Sequence, residues 1–152
     1  MADSKSPTPA EITIMAAGVV ALIFSFFNFY KNPFTDSGIS VWSSGLFPTA
    51  TLMVIFVVVM AVAVALPRFG NIGLPDLPFG FSWNQLHLVL GFFAALYAIA
   101  WLVVSKGGAD FGIGFWFVFV ACLAALVGAV LLQREGSGRS TPSGPPPGPP
   151  TA

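Results

Sequence analysis

His87 and Cys122 are the two side chains best equipped for chemistry in this sequence. An imidazole can ligate a metal or relay a proton, and a thiolate can attack an electrophile. The chain holds one residue of each type, and both lie in long apolar stretches free of Asp, Glu, Lys and Arg. A single His with no second His, no Cys pair and no carboxylate in its stretch is poor ligation for zinc or haem. Two readings of His87 follow. In one it hydrogen-bonds across a helix contact near the cytoplasmic interface. In the other it binds a haem or metal, for which a two-fold dimer would supply a second imidazole. The residues favour the first, and no cofactor or metal is expected. Cys122 alone cannot close an intrachain disulfide, and in hydrocarbon surroundings it behaves as a small apolar residue. The sequence has no glycine-rich phosphate loop, His-x-x-x-His pair, Ser/His/Asp set or basic patch for nucleic acid. Neither an enzyme nor a nucleic-acid partner is expected.

A second candidate is a near-repeat. Residues 36–42 read DSGISVW and residues 110–116 read DFGIGFW; each follows a lone lysine, Lys31 or Lys106. In this shared D-x-G-I-x-x-W pattern Asp36 or Asp110 can cap a helical turn by accepting from free N–H groups. Gly38 or Gly112 permits a tight backbone, the Ile fills an apolar face, and Trp42 or Trp116 anchors at a membrane interface.

The elements that hold these residues follow from composition. Of 152 residues, 56% are hydrophobic and only 8% charged, with a mean hydropathy of +0.86. Soluble domains carry about 25% charged residues. Four apolar stretches account for the difference: 12–30, 46–66, 83–104 and 113–133. About 20 residues of helix cross a hydrocarbon core of roughly 30 Å. Backbone inside lipid must satisfy its own hydrogen bonds, which makes such runs helices. Residues 54–59, Val-Ile-Phe-Val-Val-Val, lack the alternation of a β-barrel strand. Thr8-Pro9-Ala10-Glu11 and Ser82-Trp83-Asn84-Gln85 both carry capping-box residues at helix starts. Pro67 stands where a proline can stop the second helix. Asp3 and Glu11 beside Lys5, with no small-x-small cleavage site, argue against a cleaved signal peptide at the first stretch. The expected fold is an all-α membrane protein, a four-transmembrane-helix bundle. The near-repeat suggests two tandem parallel helical hairpins. Residues 1–10 read as a disordered segment, 11–133 as the four-span domain and 134–152 as a disordered Pro/Gly-rich tail.

Small residues recur at helical spacing within the spans. His87, Gly91, Ala95 and Ala98 form one stripe; Ala121, Ala125 and Gly128 form another, with Ala17 and Ala21 on the first span. Such residues let helices approach closely and mark packing faces. Asn28 reads as a hydrogen bond between helices near the end of the first span. Trp42, Trp101 and Trp116 read as anchors at the outer interface, joined by Phe29 and Tyr30, and Trp83 as an anchor at the inner one. Lys5, Arg68, Arg134 and Arg139 fall on one side, Lys31 and Lys106 on the other. The positive-inside rule then places both termini in the cytoplasm of a multi-pass cell-membrane protein. The spans contain no charge, which disfavours a proton-coupled carrier acting alone.

The cytoplasmic stretch 67–82 mixes Pro and Gly with Phe69, Leu74, Leu77, Phe79 and Phe81, the composition of an ordered loop along the interface. The Pro-rich tail reads either as a docking peptide for a cytoplasmic partner or as a solubilising spacer. Lys106 to Leu132, with a weaker echo in Asp36 to Pro67, resembles small four-span integral membrane proteins of actinobacteria with Pro/Gly-rich tails. That resemblance implies a place in the cell envelope and supplies no catalytic residues. The expected function is a non-enzymatic accessory or scaffold protein that packs in the bilayer against other membrane proteins or itself. A small-solute carrier or channel acting as an oligomer is the alternative.

Overall fold

The computed structural model describes residues 6–32, 34, 37–104 and 110–137. Asp36, Lys106, the first five residues and the tail beyond Ser137 lie outside the described residues. Four helices account for most of the chain: α1 Pro9–Phe24, α2 Thr49–Phe69, α3 Trp83–Val103 and α4 Ile113–Ser137. A short 3-10 turn, Pro78–Gly80, precedes α3. Three of the helices, of 21, 21 and 25 residues, are long and apolar enough to cross a membrane. The 16 residues of α1 rise only about 24 Å.

Both capping boxes form. Thr8 N–H donates to Glu11 Oε2 at 2.8 Å while Glu11 N–H donates to the Thr8 hydroxyl at 3.4 Å. Ser82 N–H donates to Gln85 Oε1 at 3.0 Å, and Gln85 N–H returns to the Ser82 hydroxyl at 3.3 Å. Each box satisfies donors that a helix start leaves free.

The helix ends differ from expectation: α2 begins at Thr49 and not at 46, α4 runs on to Ser137 and takes 134–137 out of the expected tail, and the ends of α1 and α2 also move. α1 stops at Phe24 and does not reach Tyr30. The Ser25 hydroxyl turns back on Leu22 O at 2.7 Å, and the N–H groups of Phe26 and Phe27 switch to the i−3 carbonyls of Ile23 and Phe24. The run Phe26–Tyr30 consists of residues that gain little from helix, so tertiary partners decide its path. At the other end, α2 carries Pro67 inside its last turn and ends at Phe69, capped by Gly70 N–H on Leu66 O at 2.9 Å. A proline this close to the end removes one hydrogen bond only, and Arg68 holds the turn through its bonds to Glu11.

Three two-residue strands, absent from the sequence expectation, knit the end of the molecule where α1 stops. Strand β1 (Tyr30–Lys31) lies between β2 (Gly38–Ile39) and β3 (Asp110–Phe111), antiparallel to both. Both copies of the near-repeat thus flank β1, but not in equivalent places. Lys31 faces Gly38 on one side and Asp110 on the other, whereas the motif aligns Gly38 with Gly112. Trp116 lies in the first turn of α4, and Trp42 lies in a turn ahead of α2. Asp110 does not cap α4. Backbone carbonyls do so: Gly112 N–H donates to Phe29 O at 2.8 Å and Gly114 N–H to Asn28 O at 3.0 Å.

The helices pack in chain order, α1 on α2, α2 on α3 and α3 on α4, and α4 closes back on α1. Ile14, Met53, Val57, Met60, Val118 and Cys122 fill the space between them and are fully buried.

Candidate functional site

His87 stands one turn into α3 and is 3% exposed. Its Nδ1 faces Trp83 O at 2.5 Å and its Nε2 faces Met60 O of α2 at 3.3 Å. Each ring nitrogen therefore faces a backbone carbonyl, Trp83 O within α3 and Met60 O across on α2; a neutral imidazole carries one N–H and donates to only one of the two. Among the described residues, no three His, Cys, Asp or Glu side chains gather as a metal site. Cys122 is buried and free.

The small-residue stripes sit at helix crossings of the same chain. Gly91 meets α4: a Cβ there would lie 3.1 Å from Leu126 Cα and 3.4 Å from the Met60 methyl. Gly128 meets α1: a Cβ there would lie 2.6 Å from Ile14 Cγ1 and 3.3 Å from Ala10 O. Ala95, Ala98, Ala121 and Ala125 are buried with them, as are Ala17 and Ala21. Gly18, which the spacing argument passed over, faces Ala61 of α2. These faces are occupied by intramolecular packing, so the surface offered to any neighbour is the large apolar exterior. On α3 that exterior includes Phe92, Phe93, Leu96 and Ile99. Grooves between helices on the outside are lined almost wholly by apolar side chains; one runs between α1 and α2 past Met15, Val19, Leu22, Val58 and Phe69.

At the sheet end, an aromatic cluster caps the core. Phe29 packs edge-on against Trp101 and Phe115, with ring centroids 5.9 and 5.1 Å away. Phe111 stacks on Phe115 at 3.8 Å, and Tyr30 on Phe111 at 5.5 Å. Phe29 and Tyr30 are buried, not part of an exposed belt. Asn28 lies beyond the end of α1, so its contribution is the backbone carbonyl bonded to Gly114 and not a bond between helices.

The tryptophans divide as the chain direction requires. Trp42, Trp101 and Trp116 lie at the sheet end and Trp83 at the opposite end. Trp42 Nε1 donates to the Ser25 hydroxyl at 3.0 Å, and Trp83 Nε1 donates to Pro75 O at 3.0 Å. Trp101 packs on Phe29 and Tyr30, and Trp116 on Phe111, Phe115 and Phe119.

One polar tie was not foreseen. Arg68, at the end of α2, donates through Nε and Nη2 to Glu11 Oε1 at 3.0 and 2.7 Å. It is the only ion pair within 4 Å found among the described residues, and it joins the start of α1 to the end of α2. Nothing in either residue's local sequence pairs them; only the antiparallel packing of α1 and α2 does.

No family model matches the chain, and no curated protein or solved structure matches it.

Proposed function

We propose that the four helices cross a bilayer as a four-transmembrane-helix bundle with both termini on the cytoplasmic side. In that bilayer the protein acts as a non-enzymatic accessory or scaffold, by contact with other membrane proteins. The observation that carries this reading is the contrast between a filled interior and an apolar exterior. Buried side chains close the middle, every buried side-chain nitrogen and oxygen among the described residues lies within reach of a partner, and the grooves face outward. A filled interior supports packing in the bilayer over passage of a solute through the bundle. The exterior rings of α3, by contrast, offer a broad surface to a membrane neighbour, as large apolar patches do. α1 completes its crossing through the apolar residues after Phe24, whose irregular backbone is bonded inside the protein, the condition lipid imposes on such segments. The cell envelope and a cytoplasmic partner for the Pro-rich tail belong to the same reading.

The test is in-membrane photo-crosslinking from single sites. A photoreactive residue at Phe93 or Leu96 is expected to yield a discrete adduct with a second membrane protein. The same residue at buried Ala95 is expected to yield none. Absence of a protein adduct from all exposed positions, together with solute flux in liposomes, would replace this reading with that of an oligomeric carrier.

A further inference from the structure

The end of α4 meets the start of α3. A Cβ on Gly136 would lie 3.1 Å from Asn84 Nδ2, so the chain leaves α4 beside the first turn of α3. Residues 138–152, which follow, lie outside the described residues. The neighbour of Asn84 is Trp83, which lines an outward-facing apolar groove with Val62, Ala63 and Leu66 of α2 and with Leu74 and Pro75 of the loop. The half-buried indole is tied to that loop by its N–H, which donates to Pro75 O at 3.0 Å.

The segment that leaves α4 at this point has the matching chemistry. Five of the six residues 145–150 are proline. Proline favours the extended polyproline II form and carries no N–H, so such a run leaves few donors unpaired on an apolar surface. Aromatic-lined grooves are a recurring seat for it. The eight steps from Ser137 to Pro145 reach about 25 Å at roughly 3.1 Å each. A helix with its side chains is only about 10–12 Å across, so the run passes the start of α3 and arrives at Trp83 with slack. Charge agrees as well. Arg139 is the one charged side chain in 138–152, and Asp76, exposed beside Pro75, is the one carboxylate in 67–82.

We propose that the Pro-rich segment docks on the groove of its own chain, with Pro145–Pro150 seated against Trp83, Leu74 and Leu66 and Arg139 facing Asp76. The inference goes beyond the accessory reading, because it depends on the contact of α3 with α4 and not on which side of a bilayer that end faces. The segment is then a latch in cis, and a partner that reads the same prolines must first displace them from the groove.

Photo-crosslinking of the purified full chain in detergent micelles with added phosphatidylcholine tests the proposal. A photoreactive residue at Leu74 is expected to join the tryptic peptide 140–152 of the same molecule, identified by mass spectrometry. The same residue at Phe93, on the exterior of α3, is expected not to. Serine at positions 145, 146, 147, 149 and 150 together is expected to abolish the adduct and to shift Trp83 emission to the red, read in each background as the difference from Trp83→Phe. Asp76→Arg is expected to lower the adduct yield, and Asp76→Arg with Arg139→Asp to restore it. No adduct with 140–152, or an adduct with detergent or phospholipid alone, would overturn the proposal. Capture of 140–152 equally from Phe93, or an adduct that survives the serine substitutions, would overturn it too. An adduct only between copies, when two chains of different isotope label are mixed, would replace the latch in cis with exchange between molecules.

Discussion

Gly114 shows how much one side chain decides at the sheet end. A Cβ there would lie 2.8, 2.9 and 3.0 Å from the carbonyl oxygens of Phe24, Phe27 and Asn28. Backbone oxygens cannot step aside as a flexible side chain can. Gly114→Ala is therefore predicted to cost about 1–3 kcal/mol, the range for overpacking, seen as a lower melting temperature in detergent. An unchanged melting temperature would remove the close approach of α1 and α4 from the account. The small residues of the packing stripes could be read from spacing alone, because close approach leaves a local trace. That His87 meets the Met60 carbonyl, or that Gly114 meets three carbonyls, depends on which helix lies opposite, and no local pattern carries that.

Elements are held in register by ties of different reach. The capping boxes at Thr8–Glu11 and Ser82–Gln85 are contained within four residues, which is why the sequence revealed the starts of α1 and α3. The strands were hidden for the opposite reason: two residues are too few for alternation to register, and β1 takes partners from two distant segments. The end of α1 was hidden with them, because Phe29 N–H leaves the helical path for Ile39 O at 2.7 Å. The Glu11–Arg68 pair is the element-scale tie most open to test. Both side chains are partly exposed, at 14% and 26%, so its worth is about 1 kcal/mol at low salt, as for other solvent-screened pairs. Glu11→Gln and Arg68→Gln should each lower thermal stability. The exchange Glu11→Arg with Arg68→Glu should recover only part of the loss, since Arg cannot complete the capping box with Thr8 N–H. A double-mutant cycle with no coupling between the two positions would show that the pair does not fasten α1 to α2.

The whole molecule rests on α1 being a true crossing despite its 16 residues. If α1 crosses, Ser6 ahead of it and Glu135 near the end of α4 share a side, and Lys31 is opposite to both. If α1 instead lies on the surface, Ser6 and Glu135 fall on different sides. On the proposed four-span reading, Arg68 and Arg134 mark the terminal end and Lys31 the sheet end, so the positive-inside rule predicts the terminal end in the cytoplasm. α1 buries Ile14, Ala17 and Ala21 against its neighbours, which supports the proposed four-span reading. The most direct measurement is labelling of single cysteines at positions 6, 31 and 135, in a Cys122→Ala background, with a membrane-impermeant thiol reagent in intact cells. The account predicts labelling at position 31 without permeabilisation, and at positions 6 and 135 only after it. Labelling of positions 6 and 135 from opposite sides of the membrane would contradict it.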